Sequence, residues 1–457
     1  MIPITVSQIH AAVGGSLYGG GDAAVTALST DSRSIGPGQW FVPIAGERFD
    51  GHDYIDMALE KGAVGCFCAH LPETLRPECS YILVTDTKLA LRDLAAWYRG
   101  QFRLPVVQIT GSVGKTTAKE MIAGVLSQGL NTLKTRGNLN GDIGAPMLLL
   151  DLMPEHQAAV VETGMDNFGQ IRYLGAAVRP DIAVIVNIGD AHMENLGSRE
   201  GILRAKSEIF ENLRPGGTAV LNGDDPLLNT LDLPVETLRC GMGENCNVRV
   251  EQVEDLGVAG IRCAVRTDRG VYPLSIPAPG VHMVYAAAMA VAIGEKLGLT
   301  AEEICRGVAQ YAPAGERMRV EHLAGGRTLL NDSYNANPQS MEAAVRILAA
   351  TAGKRRVAML GDMKELGAAT EPGHAAIGRL VGQLGVDTLL AVGPYCREYM
   401  VPAAQAAGCA DVRWFPDREA AYRDLREAFV PGGVVLLKAS HFSGRFDLAA
   451  EYLRGIF

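Results

Sequence analysis

The run Gln108-Ile109-Thr110-Gly111-Ser112-Val113-Gly114-Lys115-Thr116-Thr117 carries the residue types that hold a chain of phosphates. Glycines let backbone N–H groups approach phosphate oxygens, and a helix that starts here adds its positive end. Lys115 reaches the outer phosphates, and Thr116 stands where a phosphate-loop hydroxyl binds Mg²⁺. The common motif has a glycine five positions before the Gly-Lys pair; here that position is Ile109. The flanking pattern supports the motif, because an apolar run (104–109) precedes it and a helical pattern (118–126) follows.

Other chemistry-bearing residues stand where strands are expected to end, and in open α/β sheets ligands bind beyond the carboxyl ends of the strands. Glu162-Thr163-Gly164 follows an apolar run at 158–161, and Asn187, Asp190 and His192 follow another at 182–186. A carboxylate and an imidazole near a phosphate loop suit Mg²⁺, which prefers oxygen ligands and accepts few nitrogens. Lys206 lies on a helical face otherwise apolar at Ile202, Leu203, Ile209 and Phe210, a pattern that also fits a solvated lysine. Farther on, Asn331-Asp332-Ser333-Tyr334-Asn335-Ala336-Asn337-Pro338 joins a strand to a helix and holds more polar groups than a cap requires. Leu360-Gly361-Asp362-Met363 and Lys438-Ala439-Ser440 repeat that theme, so a polar rim is expected to face the phosphate loop across a cleft.

These residues need a scaffold, and the chain is long enough for three. At 457 residues it exceeds one core, given domains of about 100–200 residues. Residues 1–100 read as a small α/β domain, with helices at 7–13, 54–61 and 89–102 and strands at 25–28, 40–43 and 81–84. Its polar loops are Thr30-Asp31-Ser32-Arg33 and Gly46-Glu47-Arg48-Phe49-Asp50-Gly51-His52. Residues 101–313 alternate strands (104–109, 158–161, 182–186, 218–221) with helices, the pattern of a parallel-sheet ATPase domain. An antiparallel excursion is expected at 248–274 and a buried helix at 281–297. Residues 314–457 read as a Rossmann-like doubly wound domain, with strands at 328–330, 357–360, 388–392 and 434–437.

Composition removes several function classes. Net charge is −9 with no basic block, so no nucleic-acid footprint is read. No apolar run approaches the about 20 residues that span a bilayer, so membrane insertion is not expected. The start at Met1–Val6 lacks the pattern of a secretion signal. The nine cysteines show no zinc-site spacing, and reduced thiols in a cytoplasm are expected.

Over its whole length the chain resembles the Mur ligases of peptidoglycan synthesis. Thr110–Thr117 is similar to their short phosphate loop, which accounts for Ile109. Asn187-Ile188-Gly189-Asp190-Ala191-His192 and Ala205-Lys206-Ser207-Glu208-Ile209 resemble the segments that hold a metal histidine and a carbamylated lysine. Asp332–Pro338 and Leu360-Gly361-Asp362-Met363-Lys364-Glu365-Leu366-Gly367 resemble the branch that adds a dipeptide. Asp31-Ser32-Arg33 looks like the loop for the uridine end of a nucleotide-sugar substrate, and the loop with Arg48, Asp50, Gly51 and His52 looks like its neighbour. Three positions depart from the family pattern: Gly141 and Ala286, where asparagine is usual, and Ala439, where glycine is common.

The resemblance implies an ATP- and Mg²⁺-dependent amide ligase that joins D-alanyl-D-alanine to UDP-N-acetylmuramoyl-tripeptide through an acyl phosphate. It implies catalytic roles for Lys115, Glu162, His192 and Lys206, with Thr116, Glu162, His192 and carbamylated Lys206 on metal. ATP would meet Gly111, Ser112, Val113, Gly114, Lys115, Thr116, Thr117, Asn187, His282, Arg317 and Asp332. Substrate would meet the two N-terminal loops together with Asn138, Asn140, Tyr334, Asn335, Asn337, Lys438 and Ser440. A cytoplasmic monomer is expected. Rival readings are a sister ligase adding a single amino acid, a folylpolyglutamate-synthetase-like ligase and a sensor that binds ATP and precursor without turnover. The N-terminal loops argue against the second, and the cluster at 334–337 separates the first.

Overall fold

The computed structural model describes residues 1–46, 48–190, 193–440 and 444–457. Four sheets organise the described residues. The N-terminal part has a five-stranded sheet in the order Ser16–Tyr18, Ser80–Leu83, Gly65–Cys68, Gln39–Phe41, Ala27–Ser29, with a two-stranded ribbon of Ile4–Thr5 and Ala24–Val25 beside it. The single strand expected at 25–28 is therefore two. The N–H of Thr26 leaves the ribbon to bond Gly38 O at 2.8 Å, which hands the chain from one sheet to the other. Cys66-Phe67-Cys68, silent as a motif, lies in a strand buried along its whole length. All nine cysteines are free thiols, and eight are buried.

The central sheet has nine strands. From one edge they run Val271–Ile276, Ile261–Arg266, Val248–Asp255, Glu236–Gly241, Thr218–Asn222, Ile182–Ile185, Val106–Thr110, Ala158–Glu162 and Thr132–Lys134. The expected excursion exists, but its first strand, Val248–Asp255, pairs parallel with Glu236–Gly241, and only the last two are antiparallel. Val106–Thr110 lies between Ala158–Glu162 and Ile182–Ile185, both parallel to it. That register sets the phosphate loop, Glu162 and Asn187 side by side at the carboxyl edge.

Helix Lys115–Leu126 continues the loop and buries Ala118, Met121, Ile122 and Val125. Helix Met283–Lys296 is apolar on nearly every side because it lies inside the core between that helix and the sheet. The C-terminal sheet has six strands in the order Arg319–Leu323, Arg327–Asn331, Val434–Lys438, Arg356–Gly361, Thr388–Val392, Asp411–Phe415; only the first pairs antiparallel. The strands expected from sequence here are all present, and the two edge strands are additions. Among the described residues no helix is long and apolar enough to cross a membrane.

Behind the phosphate-loop helix a close crossing fixes its position. A Cβ on Gly307, in helix Ala301–Ala309, would lie 2.5 Å from Val125 Cα and 3.0 Å from Gly124 O. Both are backbone atoms that cannot rotate away. Gly307→Ala gains about 1 kcal/mol of helix propensity but overpacks the crossing at a cost of about 1–3 kcal/mol. The net expectation is a lower urea midpoint than wild type, measured by fluorescence or circular dichroism.

Candidate active site

The phosphate loop is shaped by its neighbours. Gly114 has φ 80°, the left-handed region, and caps the helix that begins at Lys115. A Cβ on Gly111 would lie 2.9 Å from Val186 Cβ, so the loop passes close over the adjacent strand. Asn187 then clamps it. Its Oδ1 accepts from Val113 N at 2.9 Å, its Nδ2 donates to Val113 O at 2.9 Å, and its carbonyl accepts from Ser112 N at 3.1 Å. Ser112 Oγ accepts from Gly189 N at 2.8 Å. Asn187, expected to meet ATP, thus has its amide committed to the loop itself.

Lys115 is half-buried and donates to Gly111 O at 2.7 Å. Loss of water pushes its ammonium below the ordinary lysine value; Glu162 opposes that shift and Arg317 adds to it. Glu162 is 2% exposed and is held at both oxygens. Thr116 Oγ1 donates to Oε2 at 3.0 Å and Asn140 Nδ2 to Oε1 at 2.9 Å. A hydroxyl and a carboxylate that touch in this way offer hard oxygen donors, the set that fits Mg²⁺. Asp190, by contrast, is taken by Arg199 at 2.6 and 2.8 Å.

Lys206 is 1% exposed, and no ion pair joins it to another described residue. Burial drives its amine well below the ordinary lysine value, and the charge of Lys115 adds to the effect. It is not the solvated lysine that the helical pattern also allowed. His192, expected beside it, lies outside the described residues.

Opposite the loop stands the C-terminal rim. A cavity of about 590 Å³ is lined by Ser112, Val113, Gly114, Lys115, Thr116, Thr117, Asn138, Asn140, Glu162 and Asn187 from the central part. His282 and Arg317 join it, with Asp332, Tyr334, Asn335, Asn337 and Lys438 from the rim. The Arg317 guanidinium stacks 3.6 Å from the Tyr334 ring centroid. Lys438 is 2% exposed and bridges Asp332 at 2.5 Å and Asn335 O at 2.9 Å, and Asp332 also accepts from Met318 N at 2.9 Å. Burial holds His282 below the ordinary imidazole value. Asn337 caps helix Pro338–Ala350 through Ser340 N at 2.9 Å, so part of the cluster is cap chemistry. Ala286 also lines the cavity, with Ala278, Pro279 and Met283.

Some expected residues are not on this cavity wall. Ser440 lies behind the rim, accepting from Lys364 N at 3.1 Å. In the N-terminal part, Asp31 forks onto Arg33 at 2.9 Å, which lowers its carboxyl to about 2, and Ser32 is buried beside them. Asp50 binds His52 Nδ1 at 2.6 Å, Gly51 is packed against Ile44, and Arg48 is exposed. Sequence reasoning missed Asn222, Asp225, Tyr311 and Gln339, which also line the cavity. Gln339 presses on Gly189 across the cleft; a lone glutamine after a capping Asn-Pro carries no sequence signal for that contact. Burial pushes Tyr311 up to about 12, against an opposing hydrogen bond with Thr117.

A phosphate loop on a parallel sheet, facing a second doubly wound unit across one cavity, defines a nucleotide-dependent ligase architecture. Residues 109–294 match the Mur ligase middle domain, 316–441 the Mur ligase glutamate ligase domain, and 24–99 the Mur ligase family catalytic domain. The chain belongs to the Mur ligase family. It is 39% identical over 396 residues, 86% of each chain, to UDP-N-acetylmuramoyl-tripeptide–D-alanyl-D-alanine ligase of Escherichia coli strain K12. The crystal structure of MurF from Acinetobacter baumannii superposes with TM-score 0.90 at 33% identity, covering 99% of each chain. MurF from Thermotoga maritima in complex with ADP gives TM-score 0.83 at 27% identity, covering 94% of this chain and 97% of that one.

The Asn187 clamp sets the shape of the loop. Asn187→Ala removes two hydrogen bonds and leaves Val113 N without its partner. At about 1–3 kcal/mol for an unsatisfied group, the expected result is about tenfold weaker ATP binding with little change in thermal melting, measured by isothermal calorimetry.

Proposed function

We propose that this chain is an ATP-dependent amide ligase that joins D-alanyl-D-alanine to UDP-N-acetylmuramoyl-tripeptide, forming the pentapeptide precursor of peptidoglycan. The observation that carries the reading is the single cavity in which Lys115, Thr116 and Glu162 face Arg317, Tyr334 and Asn335. The relatives' activity and the ADP bound in the Thermotoga maritima protein support it.

A carboxylate is a poor acyl donor because oxide is a poor leaving group. An oxygen of the tripeptide's terminal carboxylate attacks the γ-phosphorus of ATP, the bond to the β–γ bridging oxygen breaks, and ADP leaves. The dipeptide amine then attacks the acyl carbon, phosphate departs, and the amine's proton is lost to solvent or a base. Backbone N–H groups of the loop cradle the phosphates, and Lys115 and Arg317 bring positive charge to the end where charge accumulates. Thr116 and Glu162, with His192, would hold Mg²⁺, which when bound neutralises phosphate charge. Asn335, exposed on the opposite wall, orients the incoming amine with Tyr334 and Asn337. The N-terminal loops at 31–33 and 48–52 would hold the uridine nucleotide.

The lowered amine of Lys206 supports its conversion to a carbamate. A neutral amine attacks CO₂, a C–N bond forms and a proton is released. The product is an anionic oxygen donor where a cation would repel Mg²⁺. One chain supplies both walls of the cavity, so a monomer suffices. The nine free thiols suit a reducing cytoplasm.

The deciding assay is phosphate release with UDP-N-acetylmuramoyl-tripeptide, comparing D-alanyl-D-alanine with single amino acids. Dipeptide-dependent release is expected; release that ignores the amine would sink the reading. Lys115→Ala should abolish release while melting as a folded protein. Lys206→Ala should be nearly inactive and partly restored by a short carboxylic acid such as acetate, whereas full activity without rescue would remove the carbamate.

A further inference from the structure

Lys119 is a charged side chain sealed in the core one helical turn after Lys115, and nothing in the chemistry above uses it. It is 1% exposed. Its Nζ donates to Thr135 O at 2.9 Å and lies 2.7 Å from Glu120 Oε1 and 4.0 Å from Glu162 Oε2. Glu162 Oε2 is the oxygen that also receives the Thr116 hydroxyl. Lys119 therefore stands behind Glu162, on the side away from the cavity, and separates it from a second carboxylate.

The neighbours close the cluster. Lys134 binds the other oxygen of Glu120 at 2.5 Å. Two ammonium groups, Lys119 and Lys134, thus face two carboxylates, Glu120 and Glu162, and the cluster is neutral. Thr135, whose carbonyl Lys119 holds, is fully buried, and its Oγ1 accepts from Glu162 N at 2.9 Å. The same threonine begins the segment that brings Asn140 to Glu162. One ammonium therefore ties the strand end, the Asn140 segment and the Glu162 carboxylate together.

We propose that Lys119 is a positioning residue for nucleotide-linked Mg²⁺. It keeps Glu162 aimed at the cavity by screening it from Glu120, and it acts through Glu162 without touching substrate. The inference rests on the functional reading above, in which Glu162 and Thr116 hold the metal. Without Lys119 the two carboxylates face each other with only Lys134, bound to Glu120, to offset them, and Glu162 turns from Thr116. Removing one partner of a buried charge group leaves the other uncompensated.

The test measures binding of a fluorescent ADP analogue in Mg²⁺ and in EDTA, with melting curves as a control on folding. Lys119→Met should weaken the Mg²⁺-dependent binding about 10–100-fold, as loss of an outer partner of a metal ligand does, and change binding in EDTA little. Lys119→Met/Glu120→Gln restores neutrality without restoring the bond to Thr135 and should recover most of the loss. A purely structural role predicts no recovery, so a double variant as weak as the single one overturns the proposal. Unchanged binding in Lys119→Met overturns it too. Should Lys119→Met fail to fold, Lys119→Gln, which keeps a donor for Thr135, takes its place in the same comparison. Wild-type binding that ignores Mg²⁺ would overturn the functional reading itself, which sets that failure apart from failure of the Lys119 role alone.

Discussion

A carboxylate removed from water must be satisfied by the protein, and Glu162 makes the site depend on that rule. At 2% exposure, its charge in a low-dielectric surrounding costs several kcal/mol unless donors meet it. Those donors come from different parts of the chain: Thr116 from the phosphate-loop helix and Asn140 from the segment after the edge strand. Its own N–H goes to Thr135. The central sheet brings them together, because Val106–Thr110 and Ala158–Glu162 run parallel in a fixed register that ends both strands at one edge. A one-residue slip would turn Glu162 to the other face of the sheet and leave Thr116 without its acceptor.

The same edge explains why the cavity needs two α/β units. The central sheet brings the phosphate loop and Glu162 to one side of the cavity, and the opposite wall comes from elsewhere in the chain. The C-terminal sheet supplies that wall from its own strand ends, at Asn331–Asn337 and Lys438. Lys438 plays there the part that loop backbone plays opposite. It holds Asp332 and the Asn335 carbonyl and so ties the polar turn to the neighbouring strand. Gln339 lies against Gly189, so the two walls meet across the cleft, and Arg317 stacks on Tyr334 within the C-terminal wall.

Much of this was legible in the sequence because it depends on local rules. Buried parallel strands read as short apolar runs, and the strands at 388–392 and 434–438 differ from expectation by at most one residue. The phosphate loop carries its own glycines. What stayed hidden depends on where side chains point after folding. Asn187 read as a residue that meets ATP; it lines the cavity, and its amide also holds Val113, a contact set by the packing of two neighbouring strands. Edge strands such as Asp411–Phe415 and Thr132–Lys134 escaped because half-exposed strands mix polar and apolar residues without a clear period. The break at Thr26 escaped because it turns on one hydrogen bond to Gly38.

Three lysines show where sequence pattern stops and physical environment takes over. Lys115, Lys119 and Lys206 sit on helices whose other inward residues are mostly apolar, and for Lys206 the helical pattern also fitted a side chain with its head in water. In the fold each loses water, and what replaces it differs. Lys119 gains two carboxylates and a carbonyl as partners. Lys115 opens on the cavity with Glu162 in range, so its charge is available to an anionic ligand. Lys206 meets no anion among the described residues, and burial and the charge of Lys115 favour its neutral form. One residue type thus meets three environments around one cavity, and the distribution of carboxylates among the described residues sets them apart.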